Sequence, residues 1–206
     1  MAAIDDAATL NLASWIPVTE AEGPGLRFAA WVQGCAIRCQ GCCNPHLFHH
    51  RPNRVVPGAD LVREVEAARA REPRLEGVSL LGGEPFEQDA ALAAFAREVK
   101  ARGLTVMVYT GHLLEDLQAR GSPLLAVTDL LVDGQYVAAE RTTKRRFIGS
   151  TNQRLFFLTD AYREDDPRFA APNHAEIRMN AQGEVQVVGF PFDRFLDAFG
   201  PGRGTA

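Results

Sequence analysis

Apolar residues in this chain fall into short runs, and the stretches between the runs carry helical spacing. Leu10 to Thr19 mixes apolar and β-branched residues and predicts a strand. Gly23-Pro24-Gly25 predicts a turn, from the backbone freedom of glycine and the fixed φ of proline. Leu26 to Val32 predicts a second strand that runs straight into Gly34 and a cysteine-rich loop. Within it, Arg27 is expected to face water, with an anion as the alternative. Asp60 predicts an N-cap, and Leu61, Val65 and Ala68 mark the apolar face of the helix it opens, which Pro73 ends. Val78 to Leu81 is a short apolar run suited to a buried parallel strand. Leu92, Phe95, Ala96 and Val99 stand at i, i+3, i+4 and i+7 and predict the next helix, with Gly103 past its end. Leu104 to Tyr109 predicts a strand, followed by a helix through Leu113, Leu114 and Leu117. Leu130 to Val132 predicts another strand, ending at Asp133-Gly134.

Strand, loop and helix thus recur at an interval of about 25 to 30 residues, the length of a βα repeat. The fold class expected is α/β with a parallel sheet, whose reactive loops lie at the strand C-termini. Four segments follow predicted strands and should crowd one rim: the cysteine loop, Gly82-Gly83-Glu84-Pro85, Thr110-Gly111 and Asp133-Gly134. Further on, Leu155 to Leu158 predicts a buried edge element, and the polar stretch 160–173 predicts a mobile loop. Glu176 to Met179 and Val185 to Val188 flank Asn180-Ala181-Gln182-Gly183 and predict a β-hairpin. The glycine-rich end, 200–206, predicts a disordered tail.

The 206 residues, 46% hydrophobic and 23% charged, fit one globular domain over 1–206 with its own core. A net charge of −4 argues against a basic nucleic-acid surface. Met1-Ala2-Ala3-Ile4-Asp5-Asp6 lacks the charged and apolar regions of a secretory signal, and no apolar run reaches membrane-spanning length. The protein is therefore expected in the cytoplasm, away from membranes, where thiols stay reduced.

That compartment bears on Cys35, Cys39 and Cys42, spaced C-x3-C-x2-C. Thiolates are soft ligands that select zinc, copper(I) or iron–sulfur clusters. Three of them suggest a [4Fe-4S] cube with one iron left open for chemistry. Cys43 is a possible fourth ligand, although adjacent side chains on an extended chain point in different directions. His46 would complete a Cys3His zinc site, and a disulfide between two of the cysteines is a third option. His46, His49 and His50 otherwise read as a solvated loop, as does the basic run Arg141 to Arg146.

The cysteine triplet together with the Gly82-Gly83-Glu84-Pro85 loop resembles the radical S-adenosylmethionine superfamily. Several shorter matches resemble its subgroup of activating enzymes of anaerobic ribonucleotide reductase. They are Gly23-Pro24-Gly25-x-Arg27, Gly34-Cys35, Gly41-Cys42-x-Asn44-Pro45, Tyr109-Thr110-Gly111, Leu131-Val132-Asp133-Gly134 and Gly149-Ser150-x-Asn152-Gln153-Arg154. The resemblance runs from about Leu10 to Leu158. It implies a partial (β/α) barrel, here with a C-terminal β-hairpin extension over about 159–199. It also implies a [4Fe-4S] cluster on Cys35, Cys39 and Cys42, with S-adenosylmethionine on the open iron. Gly82, Gly83 and Glu84 would lie by the methionine amino group, and Gly41, Cys42 and Cys43 along the adenine. Reductive cleavage would give a 5′-deoxyadenosyl radical that takes a hydrogen from a glycine on a glycyl radical enzyme. A one-electron donor such as flavodoxin or ferredoxin would supply the electron. The alternatives are a radical enzyme modifying a peptide or small molecule, and a non-enzymatic zinc or electron-carrier module. Neither module needs the glycine loop.

Overall fold

The computed structural model describes residues 9–179, 182–183 and 185–190. The chain opens with an antiparallel pair, β1 (Thr9–Thr19) and β2 (Leu26–Val32). Next come β3 (Arg54–Pro57), α1 (Gly58–Arg71), β4 (Leu75–Gly82), α2 (Asp89–Ala101), β5 (Thr105–Tyr109), α3 (Leu114–Ala119) and β6 (Leu130–Asp133). The described chain closes with β7 (Arg154–Phe157), the short α4 (Pro167–Ala170), β8 (Ala175–Met179) and β9 (Val185–Gly189). Seven strands form one open sheet in the order β3-β1-β2-β4-β5-β6-β7, while β8 and β9 pair with each other. The central run β2-β4-β5-β6 is parallel, and β7 closes one edge antiparallel to β6. The molecule is therefore a mixed α/β fold around a mostly parallel centre, and the βα repeat read from the sequence is that centre.

Side-chain alternation divides the sheet into two faces. On the outer face, Phe28, Ala30, Val32, Val78, Leu80, Val106, Val108 and Leu131 pack with Leu61 and Val65 of α1, Leu117 of α3, and the predicted stripe Leu92, Phe95, Ala96 and Val99 of α2. All four stripe residues are fully buried, and Gly103 takes a φ of +74° just past the helix, where a left-handed residue ends it. On the inner face, Met107, Leu130 and Val132 meet Phe147, Ile148 and Tyr162. The inner face is thus covered by chain that comes after β6.

Several expectations are corrected here. Arg27 faces neither water nor an anion: it is 0% exposed, on the inner face. Its Nε donates to Ser79 Oγ at 2.7 Å, its Nη1 to Tyr162 Oη at 3.0 Å and Thr105 Oγ1 at 3.1 Å, and its Nη2 to the Val78 carbonyl. Period-2 alternation places Arg27 on that face, but its cover lies 135 residues away in sequence. The stretch 160–173, expected to be a mobile loop, buries Tyr162 and contains α4. Strand β3 lies beside β1 in a stretch to which the sequence pattern assigns no element. Helix α1 begins at Gly58 with Pro57 at its N-cap, so Asp60 sits inside the first turn and pairs with Arg63 instead of capping. The expected tail over 200–206 lies outside the described residues, as does part of the turn between β8 and β9. Among the described residues no helix is long and apolar enough to cross a membrane.

Candidate metal and cofactor site

The parallel register decides what meets at the strand C-termini. Val32 at the end of β2 stands opposite Gly82 at the end of β4. The ladder continues past both strands: Gly83 N donates to Val32 O and Glu84 N to Gly34 O, each at 2.8 Å. The cysteine loop and the glycine loop therefore leave the sheet side by side. One strand over, Thr110 N donates to Val132 O at 2.9 Å and Gly134 N to His112 O at 3.1 Å, which brings the next two loops to the same rim.

These loops line one cavity of about 580 Å³, within the usual range for small-molecule sites. Cys35, Cys39, Cys42 and Cys43 line it, with Gly41, Gly82, Gly83, Glu84, Thr110, Gly111 and Gly134. The crowded rim expected from the sequence is present. His46 is exposed and is not part of the lining, and the four cysteines are all free, so neither the Cys3His arrangement nor a disulfide is formed. Among the described residues no three His, Cys, Asp or Glu side chains gather tightly enough to hold a single ion.

The backbone around the three motif thiols suits sulfur acceptors. Amides of Ile37 and Arg38 point at the Cys35 thiol, and that of Tyr136 at Cys39. Asn44 N donates to Cys42 Sγ at 3.4 Å. Arg38 takes a positive φ of 52° within this loop, uncommon for a residue with a side chain. Glu87 holds the loop from outside by accepting from Ala36 N at 2.6 Å and pairing with His50. Burial pushes the Cys35 and Cys39 thiols up. The Cys43 thiol hydrogen-bonds to that of Cys42, which lowers Cys42 to about 6 and raises Cys43. Donor set and amide cradle both fit an iron–sulfur cluster, whose sulfurs take such N–H bonds.

The glycines have a reason internal to the chain. A Cβ on Gly83 would stand 2.0 Å from Gly34 O, and one on Gly82, at φ +106°, 2.7 Å from Trp31 Cα. The space a side chain would need is taken by the neighbouring strand and loop. Glu84 is 2% exposed, and its carboxylate ties two loops together. Oε1 accepts from Phe86 N at 3.0 Å and from Thr110 Oγ1 at 2.8 Å, and Oε2 from Gly111 N at 2.9 Å. Its capping of the short helical turn after it (Pro85–Gln88) is realised. Burial holds its carboxyl up near 7 against the lowering effect of those bonds.

The segment Asn152-Gln153-Arg154 fastens the last rim loop. Asn152 Nδ2 donates to Gln135 O at 2.8 Å and Gln153 Nε2 to Gly134 O at 3.0 Å, while Gln153 Oε1 accepts from Gly149 N at 3.0 Å. Arg154 grips the fully buried Asp133, whose other bond is to Leu114 N at the start of α3. The basic run is not wholly solvated: Arg141 lines the cavity, and Arg146 lies over the Phe147 ring. Sequence reading missed Glu22, Tyr136 and Phe190, which also line the cavity, and the role of Tyr109 as a wall. Glu22 sits beside a turn signal and Phe190 beyond the hairpin, so neither carries a local pattern. The Tyr109 hydroxyl is buried with no hydrogen-bond partner among the described residues.

A family model described as a 4Fe-4S single cluster domain matches residues 21–156. The anaerobic ribonucleoside-triphosphate reductase-activating protein of Enterobacteria phage T4 is 29% identical over 154 residues, covering 73% of this chain and 96% of that protein. The protein of the same name from Salmonella typhi is 29% identical over 153 residues, covering 70% and 96%. A pyruvate formate-lyase-activating enzyme from Staphylococcus epidermidis is 35% identical over 91 residues, covering 43% of this chain and 36% of that one. The matched family segment contains all four rim loops and ends before α4 and the β8–β9 pair.

Proposed function

The chain belongs to the 4Fe-4S single cluster domain family, and from that premise we propose that it is a radical S-adenosylmethionine enzyme that activates a glycyl radical enzyme, an anaerobic ribonucleotide reductase. The observation that carries this reading is the shared cavity: three thiols with backbone amides aimed at them, and a glycine loop laid against the cysteine loop. The names of the relatives point the same way. Cys35, Cys39 and Cys42 would hold the cluster. The backbone of Gly82 and Gly83 would face the methionine amino group of the cofactor, and Gly41, Cys42 and Cys43 would lie along its adenine. Glu84 would act chiefly by holding the Gly82-Gly83 and Thr110-Gly111 loops in register, since three donors already occupy its oxygens. On this reading the parallel run of strands is the core of a partial (β/α) barrel of radical S-adenosylmethionine type, within one domain.

A cluster held by Cys35, Cys39 and Cys42 would supply one-electron reductive cleavage of S-adenosylmethionine, the chemistry by which a hydrogen atom would be taken from a glycine Cα. The electron would come from a donor such as flavodoxin or ferredoxin. The chain's own tasks are binding, orientation and exclusion of water. Tyr109, Tyr136 and Phe190 add aromatic surface to the cavity lining, suited to a reaction that water would quench. The test is an anaerobic mixture of the reconstituted protein, reductant, S-adenosylmethionine and the reductase from the same cell, read by electron paramagnetic resonance. A glycine-centred doublet on the reductase is expected. Cofactor cleavage with no radical on any glycyl radical enzyme of that cell would shift the reading to a peptide or small-molecule substrate.

A further inference from the structure

Past the end of the family match the chain returns across the inner face and contributes a wall of the cavity. The return is held at defined points. Glu176 Oε1 accepts from Thr19 Oγ1 at 2.8 Å and Glu20 N at 2.6 Å, and Arg178 donates to the Val18 carbonyl. Val188 is buried against Ile16, Ala21 and Trp31. Gly189 N donates to Glu22 Oε1 at 2.8 Å, and a Cβ on Gly189 would stand 2.8 Å from Ala21 Cβ, so this close seat requires glycine. The next residue, Phe190, then falls at the cavity. Its ring centroid is 6.5 Å from that of Tyr109, and a Cβ on Gly149 would come 3.2 Å from its Cε1.

We propose that the β8–β9 pair is a substrate-selecting wall, with Phe190 its contact residue: it leaves room for a peptide backbone bearing a glycine and excludes bulky neighbours of that glycine. This rests on the proposed hydrogen abstraction in the same cavity. The half-buried ring lies near Tyr109 and Gly149, and moving it off its rotamer in that packed setting is costly. A bulky residue beside the reacting glycine would have to displace it. In the step itself the glycine Cα–H bond would break homolytically, its hydrogen atom passing to the 5′-deoxyadenosyl radical to give 5′-deoxyadenosine and leaving the unpaired electron on the glycine Cα.

Two measurements on the reconstituted full chain decide the matter. The first uses two synthetic peptides with a Cα-deuterated glycine, flanked by alanine in one and by tryptophan in the other, and reads deuterium in 5′-deoxyadenosine by mass spectrometry. The parent should favour the alanine peptide, and Phe190→Ala should cut that preference about tenfold or more, as expected for a steric pocket, with Phe190→Leu between. The second needs no substrate: iron is extracted with a small and a bulky chelator. Phe190→Ala should speed extraction by the bulky chelator and leave the small one unchanged. Equal peptide preference and an equal chelator ratio in parent and variant would overturn the wall. If the parent transfers deuterium from neither peptide, hydrogen abstraction from glycine is what has failed, and the chelator ratio alone judges the wall.

Discussion

Replacing Arg27 with lysine keeps a positive charge in the inner face and removes the planar fork that holds it there. The guanidinium is completely buried, and among the described residues its hydrogen bonds all go to neutral oxygens, none to a carboxylate. An ammonium has three donors on one atom and cannot span Ser79 Oγ, Tyr162 Oη and the Val78 carbonyl together. Arg27→Lys therefore strands at least two buried acceptors and leaves a charge with fewer bonds. Two losses of about 1.5–3 kcal/mol each, the value of a hydrogen bond to a charged group, put the cost at about 3–6 kcal/mol. That is a large part of the roughly 5–15 kcal/mol that stabilises a domain. Urea unfolding followed by tryptophan fluorescence should show the midpoint falling by about 2 M, for a slope near 2 kcal/mol per M. Arg27→Met should be no more harmful than Arg27→Lys, because methionine brings no charge into a buried position whose hydrogen-bond partners among the described residues are all neutral. A lysine variant within about 0.5 kcal/mol of the parent, the range of an ordinary surface change, would refute the account of Arg27 as a buried clamp.

Gly83→Ala should lower bound iron and visible absorbance, since its Cβ would meet Gly34 O at 2.0 Å and push the cysteine loop aside; a fully loaded variant with only weaker cofactor binding would show that the loop yields. Cys43→Ser should keep about four irons per chain, the content of one cube, and Cys35→Ser, Cys39→Ser or Cys42→Ser should lose them, as measured by iron and sulfide assay. Burial holds the Glu22 carboxyl up at about 8, against 4.5 for an ordinary one, so the folded chain keeps a proton that the unfolded chain gives up between those values. The stability this gives is complete below pH 4.5 and is lost as pH rises through about 8, a span worth on the order of 5 kcal/mol. Glu22→Gln, which keeps the acceptor for Gly189 N, should flatten that slope, and urea midpoints at acid and alkaline pH should therefore draw together relative to the parent.

What the sequence could show depended on distance along the chain. Strands β2, β4, β5 and β6 and helix α2 announce themselves through local periodicity, and the position of each rim loop follows from the strand before it. The thiol spacing is likewise local. Arg27 could be placed on a face but not buried, because Tyr162 and Ser79 reach it from distant segments. Gly83 was recognisable as a glycine at a site, yet its reason is a carbonyl 49 positions earlier, brought alongside by parallel register. Asp60 looked like a cap because the four-residue β3 and the early start at Gly58 leave little trace in the pattern. Glu22 and Phe190 belong to the wall only through a contact 167 residues long, Gly189 N to Glu22.

That long contact also sets an order of events during synthesis. The cysteine loop and the glycine loop lie in the first half of the chain, and Gln153, which fastens the last rim loop, precedes the β8–β9 pair. A chain emerging N-terminus first can fold the parallel centre and its rim before Gly189 and Phe190 have left the ribosome, since local units form ahead of distant pairings. For that interval the thiols face an open side. Once Gly189 docks on Glu22, Phe190 joins the lining of that cavity. Cluster delivery to the nascent chain and cluster delivery to the finished protein are therefore different problems, and the last strand pair is what separates them.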